Sequence, residues 1–467
     1  MFRGKIFLFF GLVALCCPSI NGESKTTFIP RLISTDTVFE LALTNYSSDE
    51  NKEHWRKNVA IKPFYQQSFA KKSLARFFLP HNKECSLVRE DGFGDINPLW
   101  FNVIAASDAF YSSTLTIRPE RIRAGAVFTW FSWFTDHLWF GVNSALICAR
   151  HDLHLKESQR TSLGTLPGFP TMIKALNNPA WCAGKLPCKA DSRVGLDDIQ
   201  MKLGYDFLDD KDMHCSLYGV GTIPTGNQPK ARYLFEPLVG SVHGSVGAGL
   251  NADVALNNSI TFMTDVKYNY VFAHDERRTF DLCNGDWSRY LLVVFPDELL
   301  NTFPGINYFT KLVSIVPGNT FQAWMALHYE TASWKMELGY NFWLRGREQL
   351  ALKCSSLKLD NGSSLGIFDM NVCRTPITTA HTATISQSVS GSNLVVGDAE
   401  FTPTMVKDIN LSSAKNRRAV SNTLYISTGY QFPENPLFVA LNIAYEYAST
   451  IHALSNLSVW GILGVQF

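Results

Sequence analysis

Several stretches of this chain alternate strictly between apolar and polar residues. The clearest are "DDIQMKLGYDF" at 197–207, "SITFMTDVKYNYVF" at 259–272, "SWKMELGYNFWLR" at 333–345 and "PLFVALNIAYEYA" at 436–448. Apolar side chains at every second position share one face of a β-strand, whereas a helix would space them three or four apart. The pattern therefore predicts strands with one apolar and one polar face.

Further runs repeat the alternation with less contrast. They lie at 115–134, 137–151, 213–223, 245–256, 309–316, 320–330, 422–432 and 457–467. Many of the dozen runs reach roughly the 9–11 residues that a strand needs to cross an outer membrane, whereas soluble strands average about 5–6. Aromatic residues such as Tyr205, Phe272 and Tyr447 recur toward the ends of the apolar faces, where membrane barrels carry their aromatic girdles. We predict an all-β fold, a single antiparallel transmembrane β-barrel of about 12 strands, within a range of roughly 10–14.

Long irregular segments separate these runs. Residues 23–110 contain one or two strands near 36–45, residues 156–195 include a short helix at "TMIKALNN" (171–178), and residues 349–421 form the longest insert. In a barrel such segments form extracellular loops, an inward-folding plug or an N-terminal periplasmic piece. The three alternatives stay open at this point.

The N-terminus has the pattern of a secretory signal peptide. A basic start precedes an apolar run at 6–17, followed by small or polar residues. This run is shorter than the roughly 20 residues of a spanning helix. We expect a signal peptide over 1–22, cleaved after Gly22, with Ser19 as the alternative. No internal repeat divides the remainder, so 23–467 is expected to form one domain, with inserted loops at about 156–195 and 349–421.

Composition agrees with a membrane barrel. Charged residues make up 18% of the chain, below the roughly 25% of soluble domains, and aromatic residues reach 13%. The net charge of +1 indicates no nucleic-acid partner. The mean hydropathy of −0.02 excludes a helical membrane protein. An exported chain without apolar helices can enter a membrane only as a closed barrel, so the expected location is the bacterial outer membrane.

Cysteine usage fits export to an oxidising compartment. Eight cysteines follow the predicted signal peptide, an even number that permits disulfides. Cys182 and Cys188 close a short Pro-containing loop, and Cys354 and Cys373 bracket a polar segment. These two pairs are the predicted bridges. The sequence has no CxxC pair, which argues against a zinc site.

Motifs that could suggest an enzyme or a metal site are incomplete. The two rings of "HDLH" (151–154) point to opposite faces of a strand. "DGFGD" (91–95) lacks the remaining calcium ligands, and "HGSVGAG" (243–249) is not followed by the Lys and Ser/Thr of a phosphate loop. No spacing selects a Ser–His–Asp site. We expect no enzyme activity, no metal and no cofactor.

Charged residues on the polar faces are the best candidates for function. They are Asp198, Lys202, Asp206, Asp253, Asp265, Lys267, Lys335, Glu337, Arg345 and Glu446. One interpretation is a pore or binding lumen whose selectivity they set. The alternative is a plugged barrel in which they pair with one another.

The final strand, "LSVWGILGVQF" (457–467), resembles the last strand of bacterial outer-membrane β-barrel proteins. The resemblance implies that Phe467 is an assembly signal for the barrel-assembly machinery. It also implies periplasmic chaperones, outer-membrane lipid and small solutes as partners, and a homo-oligomer as one assembly state. "LDDIQMKLGYDF" (196–207) followed by "GTIPTGNQP" (221–229) is similar to barrels associated with aromatic-compound uptake.

These observations predict a function in transport. The leading expectation is an outer-membrane porin or channel for passive or facilitated passage of small solutes. One alternative is a plugged barrel that serves as a structural or adhesive envelope protein. Others are an exported soluble β-protein that binds surface ligands and, on an enzyme reading, a membrane lipase.

Overall fold

A computed structural model describes most of the chain. The described residues are 23–43, 57–79, 84–87, 95–101, 103, 111–161, 169–210, 212–296, 298–353, 364–368, 383–386, 404–432 and 436–466. The predicted signal peptide, Phe467, Cys354 and Cys373 lie outside these ranges.

Twelve long antiparallel strands form a closed barrel. They are β1 (Lys57–Phe69), β2 (Glu120–Trp133), β3 (Leu138–Asp152), β4 (Ile199–Asp210), β5 (Met213–Ile223), β6 (Ser245–Asn257), β7 (Ile260–Val271), β8 (Thr320–Glu330), β9 (Trp334–Arg345), β10 (Ala419–Gln431), β11 (Leu437–Ala448) and β12 (Ser455–Gln466). Each strand pairs with the next in the chain, and β12 pairs with β1 to close the ring. The predicted antiparallel barrel of about 12 strands is confirmed, and a soluble two-sheet fold is wrong for this chain.

One seam of the wall differs from the others. Strands β3 and β4 pair directly only from Leu138–Tyr205 to Asn143–Gln200. Beyond that point β3 pairs instead with a short strand, Asp191–Leu196, which lies just before β4 in the chain.

Two elements of the wall differ from the sequence-based prediction. Strand β1 was not predicted, because apolar side chains occupy both of its faces: Ile61 is exposed outside and Phe64 is buried inside. The predicted strand at 309–316 exists as Thr310–Val316 but lies outside the barrel, in a small sheet with His274–Thr279 and Gln349–Leu352. The predicted number of barrel strands agrees with the structure because the missed strand β1 and the wrongly included strand at 309–316 cancel in the count.

Near 36–45 the expected strand is wrong. The structure has a short helix, α1 (Thr37–Leu41), whose first turn is capped by the side chain of Asp36. Asp36 accepts a hydrogen bond from the backbone N–H of Val38 (3.0 Å), as an N-cap carboxylate does. All five residues of α1 are buried. The segment therefore lacks the alternation of buried and exposed faces that produces the hydrophobic period of a surface helix.

The outer surface of the barrel is apolar. Leu203, Leu338 and Ile426 are each more than half exposed, at 52%, 58% and 59%. Their neighbours along the strands, such as Lys202 and Glu337, are buried inside the wall. Soluble monomers rarely expose a continuous apolar surface of this extent, so the outer face is the one that contacts lipid.

Among the described helices, none is long and apolar enough to cross a membrane.

The two ends of the barrel are unequal. One end has only short turns, at 134–137, 211–212, 258–259, 331–333 and 432–436. The opposite end has the longer connections, at 70–119, 153–198, 224–244, 272–319, 346–418 and 449–454. In outer-membrane barrels short turns face the periplasm and longer loops face outward.

The described parts of the long connections pack together as a cap over their end of the barrel. The cap contains α2 (Lys71–Phe78), α3 (Met172–Ala175), α4 (Gly305–Tyr308), α5 (Leu411–Ala414), the 3-10 turns Pro98–Phe101, Ser288–Tyr290 and Val406–Asp408, and the short strands Glu84–Leu87, Ser112–Thr116, Lys156–Thr161, Asp281–Leu282, Leu292–Phe295, Glu298–Pro304, Gly366–Ile367 and Ile409–Asn410. Its core is aromatic, with Phe77, Phe235 and Trp287 almost fully buried. Helix α3 confirms the helix expected within 171–178.

Candidate functional site in the barrel lumen

The N-terminal segment passes through the barrel. Residues 23–43, here called the plug, begin beneath the cap, where the N–H of Glu23 donates to the carbonyl of Arg76 (2.9 Å). They end near the turn side, where the N–H of Leu43 donates to Glu337 Oε2 (3.3 Å). Nearly every residue between is buried. Of the three roles left open for this part of the chain, the structure shows an inward-folding plug.

The wall satisfies the backbone of the plug. Asp197 Oδ2 accepts from the N–H groups of Ile33 (2.9 Å) and Ser34 (2.8 Å). Asn143 Nδ2 donates to the carbonyl of Ser34 (2.6 Å). An irregular segment inside a protein must find partners for these groups, so the polar side chains of the wall stand in for regular secondary structure.

A first ion-pair network joins the plug to β8 and β11. Arg31 Nη2 lies 2.8 Å from Asp36 Oδ1, and Arg31 Nη1 lies 3.4 Å from Glu446 Oε1. Arg31 Nη2 also donates to Gln322 Oε1 (2.8 Å), and Ser421 donates to Glu446 (2.7 Å). The guanidinium therefore links the plug to two separated strands of the wall.

A second network surrounds Glu40. Lys202 Nζ lies 2.6 Å from Glu40 Oε1, and Lys267 Nζ lies 3.4 Å from Oε2. Lys62 donates to the carbonyls of Phe39 and Glu40, both at 2.8 Å. Burying a charge is costly unless it is paired, so Glu40 of the plug and the neighbouring Asp265 of the wall together compensate the charges of Lys202 and Lys267.

The structure divides the ten predicted lumen residues into two groups. All are buried except Asp253, which is partly exposed. Those that contact the plug are Lys202, Lys267, Glu337, Arg345 and Glu446. The others pair with wall or loop residues: Asp198 with Ser241, Asp206 and Asp253 with His214, Asp265 with Tyr218, and Lys335 with Glu330.

Sequence reasoning missed several interior residues. Lys62 lies on the unpredicted strand β1, and Gln322 and Asn143 lie on strands whose alternation was weaker. All three occupy inward positions of their strands, and Lys62 and Gln322 each lie between apolar outward neighbours, which is the signal that could have found them. The charges of the plug, Arg31 and Glu40, carry no periodic signal at all.

Aromatic rings fill much of the remaining interior. Trp139 lies over Gly204, Tyr218 over Gly249 and Tyr425 over Gly339, each from the neighbouring strand, where a Cβ atom would collide with the ring. Such glycine–aromatic pairs are a known device of curved sheets.

The cavities that described residues line deep in the interior are small. Two cavities beside Lys202 measure about 20 and 10 Å³. A larger one of about 110 Å³ lies where the plug meets the cap. A water needs roughly 10–15 Å³, so the two cavities beside Lys202 hold no solute, and the plug and the aromatic rings fill the described part of the lumen there.

The predicted bridge between Cys182 and Cys188 is absent, because both thiols are free. The N–H of Cys182 donates to Asn307 Oδ1 (2.6 Å), and Asn177 Nδ2 donates to Cys188 Sγ (3.0 Å). Leu186, between the two cysteines, is fully buried in the cap. The loop ends are therefore held by different partners.

Charged groups of the cap also pair. Glu276 Oε1 lies 2.8 Å from His243 Nε2, and Glu276 Oε2 lies 2.6 Å from Arg278 Nη2. Burial alone raises the pKa of this carboxyl, but the charge of Arg278 and the hydrogen bond from His243 outweigh it and lower the pKa to about 2. Among the described residues, no group of three or more His, Cys, Asp or Glu side chains is placed to hold a metal ion.

No family model matches this sequence, and no curated protein matches it. Solved structures to which it is similar include an outer-membrane channel of Pseudomonas putida F1, with 8% identity, 88% of this chain and 95% of that chain covered, and a TM-score of 0.36. Others are the CymD monoaromatic hydrocarbon channel (10% identity, 88% and 87% covered, TM-score 0.30) and the NanC porin (6% identity, 87% and 98% covered, TM-score 0.29).

Proposed function

We propose that this protein is an outer-membrane channel for small solutes, closed by its own plug and opened when the plug moves. The observation that carries the proposal is the placement of residues 23–43 inside a barrel that closes without them. The barrel supplies a route across the membrane, and the plug blocks it.

The bonding of the plug supports movement. The plug contributes no strand to the ring, so its departure leaves all twelve strand pairings intact. Its polar contacts are side-chain hydrogen bonds, ion pairs and, at its start, the backbone hydrogen bonds that the N–H groups of Glu23 and Lys25 donate to the cap. Water can replace such contacts one by one. Its apolar part, including Val38 and Phe39, packs on Phe64 and Trp460 and opposes release. Opening is therefore a conformational equilibrium rather than unfolding of the barrel.

The emptied lumen carries charged and polar side chains beside its aromatic rings. Removal of the plug exposes Lys202, Lys267, Glu337 and Glu446 to water along with Gln322. Rings of charged side chains set the selectivity of wide pores. On this proposal the predicted lumen residues select solutes only after opening, and in the closed state they hold the plug.

A second candidate is a permanently plugged barrel with a structural or adhesive role. The paired buried charges of the plug and the packed cap favour it. The two candidates differ in one respect, which is whether the plug ever leaves the lumen.

Swelling of liposomes that contain the purified protein separates the candidates. The variants are deletion of residues 24–42 and, should that chain fail to fold, the double substitution Arg31→Gln/Glu40→Gln. The control is Glu330→Gln, which removes a rim ion pair with Lys335. The channel proposal expects faster swelling in small neutral sugars for the plug variants than for wild type and the control. Folded plug variants that admit no solute would overturn it in favour of the plugged barrel.

A further inference from the structure

The cavity of about 110 Å³ lies between the plug and the cap-side mouth of the lumen. Its walls are largely apolar: Ile29 and Leu32 come from the plug, Leu238 and Val271 come from the mouth, and Trp343 comes from β9. A cavity of roughly 150 Å³ holds a benzene ring in another protein. At about 110 Å³ this cavity is smaller than that one, so a single ring is the largest apolar body that it could take.

Arg345 gives the cavity a buried cation that forms no ion pair with a described residue. Its side chain is 6% exposed and lines the cavity. Nη1 donates to the carbonyl of Ile29 (2.9 Å), but Nε and Nη2 have no partner among the described residues. A buried guanidinium with unused donors is strongly disfavoured unless something binds it.

The acidic groups that face this cation are already engaged. Asp198 accepts from Ser241 Oγ (2.6 Å) and from the Ser241 N–H (2.7 Å). Glu276 is bound by Arg278 and His243, as described above. Glu348, which acts electrostatically on Arg345, pairs with Arg278 (3.4 Å) and accepts from the N–H of Asn416 (2.8 Å). Each of the three carboxylates is therefore bound by other groups, and none forms an ion pair with Arg345.

The second arginine at the cavity differs from the first. Arg31 is neutralised by Asp36 and Glu446. Both guanidinium groups lie against the ring of Trp343, with Cζ atoms 5.5 Å (Arg31) and 6.0 Å (Arg345) from its centroid. Of the two arginines, only Arg345 makes no ion pair with a described residue.

A further unused donor lines the same cavity. Asn227 Oδ1 accepts from the N–H of Val239 (2.8 Å), whereas Nδ2 has no partner among the described residues. The unused groups of Arg345 and Asn227 are donors, as is Arg31 Nε, and the one unused acceptor among the lining residues is Asn269 Oδ1. A carboxylate only accepts, and its two oxygens match the fork of a guanidinium.

We propose that this cavity binds a small carboxylate carried on a single apolar ring, with the carboxylate on Arg345 and the ring against Trp343. This inference rests on the proposed channel function and extends it by naming a class of solute that binds between the plug and the cap. Binding itself requires no conduction, so it is measured on protein in detergent.

The test is calorimetric titration of the detergent-solubilised full chain with benzoate. Three comparison probes separate the parts of the ligand: benzyl alcohol keeps the ring without the charge, acetate keeps the carboxylate without the ring, and inorganic phosphate offers charge alone. The proposal expects benzoate to bind at least about tenfold more tightly than each of them, as a charged hydrogen-bond pair plus ring burial requires. Equal affinity for benzyl alcohol, acetate or phosphate overturns it.

Variants locate the site. Arg345→Gln should weaken benzoate binding about tenfold or more, since a charge-assisted pair is lost. Arg345→Lys keeps the charge without the fork and should lie between. The matched control is Arg347→Gln, because Arg347 is exposed two residues away. Unchanged heat-modifiability on gels confirms that each variant folds. A folded Arg345→Gln protein that binds benzoate like wild type refutes the assignment, whatever liposome swelling shows.

Discussion

The ion pairs of Glu40 offer the sharpest test of how the plug is held. Glu40→Gln keeps the size of the side chain and removes the charge that faces Lys202 (2.6 Å) and Lys267 (3.4 Å), both almost fully buried. Breaking a buried pair so that a charge stays unpaired costs about 3–5 kcal/mol. Asp265 also acts on the two lysines, so we expect the lower end, about 3 kcal/mol. The docking equilibrium of the plug then shifts about 100-fold toward release, at about 1.4 kcal/mol per factor of ten.

Hydrogen exchange of the plug amides measures this shift. The protection of residues 33–43 should fall about 100-fold in Glu40→Gln, while amides of the paired strands keep theirs. The control is again Glu330→Gln, whose carboxylate is 44% exposed and whose loss should leave the plug unchanged. Wild-type protection of the plug in a folded Glu40→Gln barrel would refute the reasoning that these ion pairs hold it.

Four further results are expected. Leu338→Arg on the outer face should destabilise the folded barrel by about 2–4 kcal/mol in denaturant titrations in lipid, whereas Leu338→Met should be nearly neutral; equal effects would mean that this face does not contact lipid. The pKa of Glu276 is depressed to about 2 in the folded protein, so its ionised carboxylate stabilises the cap fully above its ordinary pKa of 4.5, and this stability is lost as pH falls from 4.5 toward 2. Glu276→Gln should flatten that part of the cap's acid-unfolding curve, and an unchanged curve would contradict the assignment. Gly339→Ala should displace the ring of Tyr425 and lower the refolding yield, with Gly219→Ala as control, because nothing lies within 4 Å of a Cβ atom there. Deleting Phe467 should reduce insertion into the outer membrane in cells while refolding in detergent stays normal; wild-type insertion would remove the assembly-signal interpretation.

The barrel was predictable because its wall obeys a strict physical rule. Successive residues of a strand face lipid and the polar interior in turn, so they must be apolar and polar in turn. The faces of Lys202 and Leu203 can therefore be assigned from the local sequence alone. The alternation between apolar and polar residues is weaker where the inward-facing side chains are themselves apolar. Phe64 packs inward on the plug, and strand β1 lost its contrast for that reason.

The plug was beyond reach of the same reasoning. Its helix α1 is buried on every side, and its backbone is satisfied by distant residues, such as Asp197, 163 or more positions away. Contacts of that kind leave no local period. The alternation identified the candidate lumen charges by the face of the strand on which they lie, but it could not identify their partners. The pairing of Glu40 with Lys267 depends on the path of the plug through the barrel.

The same limit explains the error in the cap. Cys182 and Cys188 are close in sequence, which suggested a bridge. Their distance is set instead by how Leu186 and Asn307 pack within a cluster assembled from six connections. Spacing along the chain carries no information on that packing.

The central claim is that the plug must move for the barrel to conduct. Its most direct test is planar-bilayer recording of a variant that carries Ser34→Cys and Asp197→Cys, with the native cysteines replaced by serine. The two positions are in contact, since the N–H of Ser34 lies 2.8 Å from Asp197 Oδ2, and an oxidised pair fastens the plug to the wall. The account predicts no openings under oxidising conditions and discrete openings after addition of reductant to the same membrane. Equal conductance before and after reduction would contradict it.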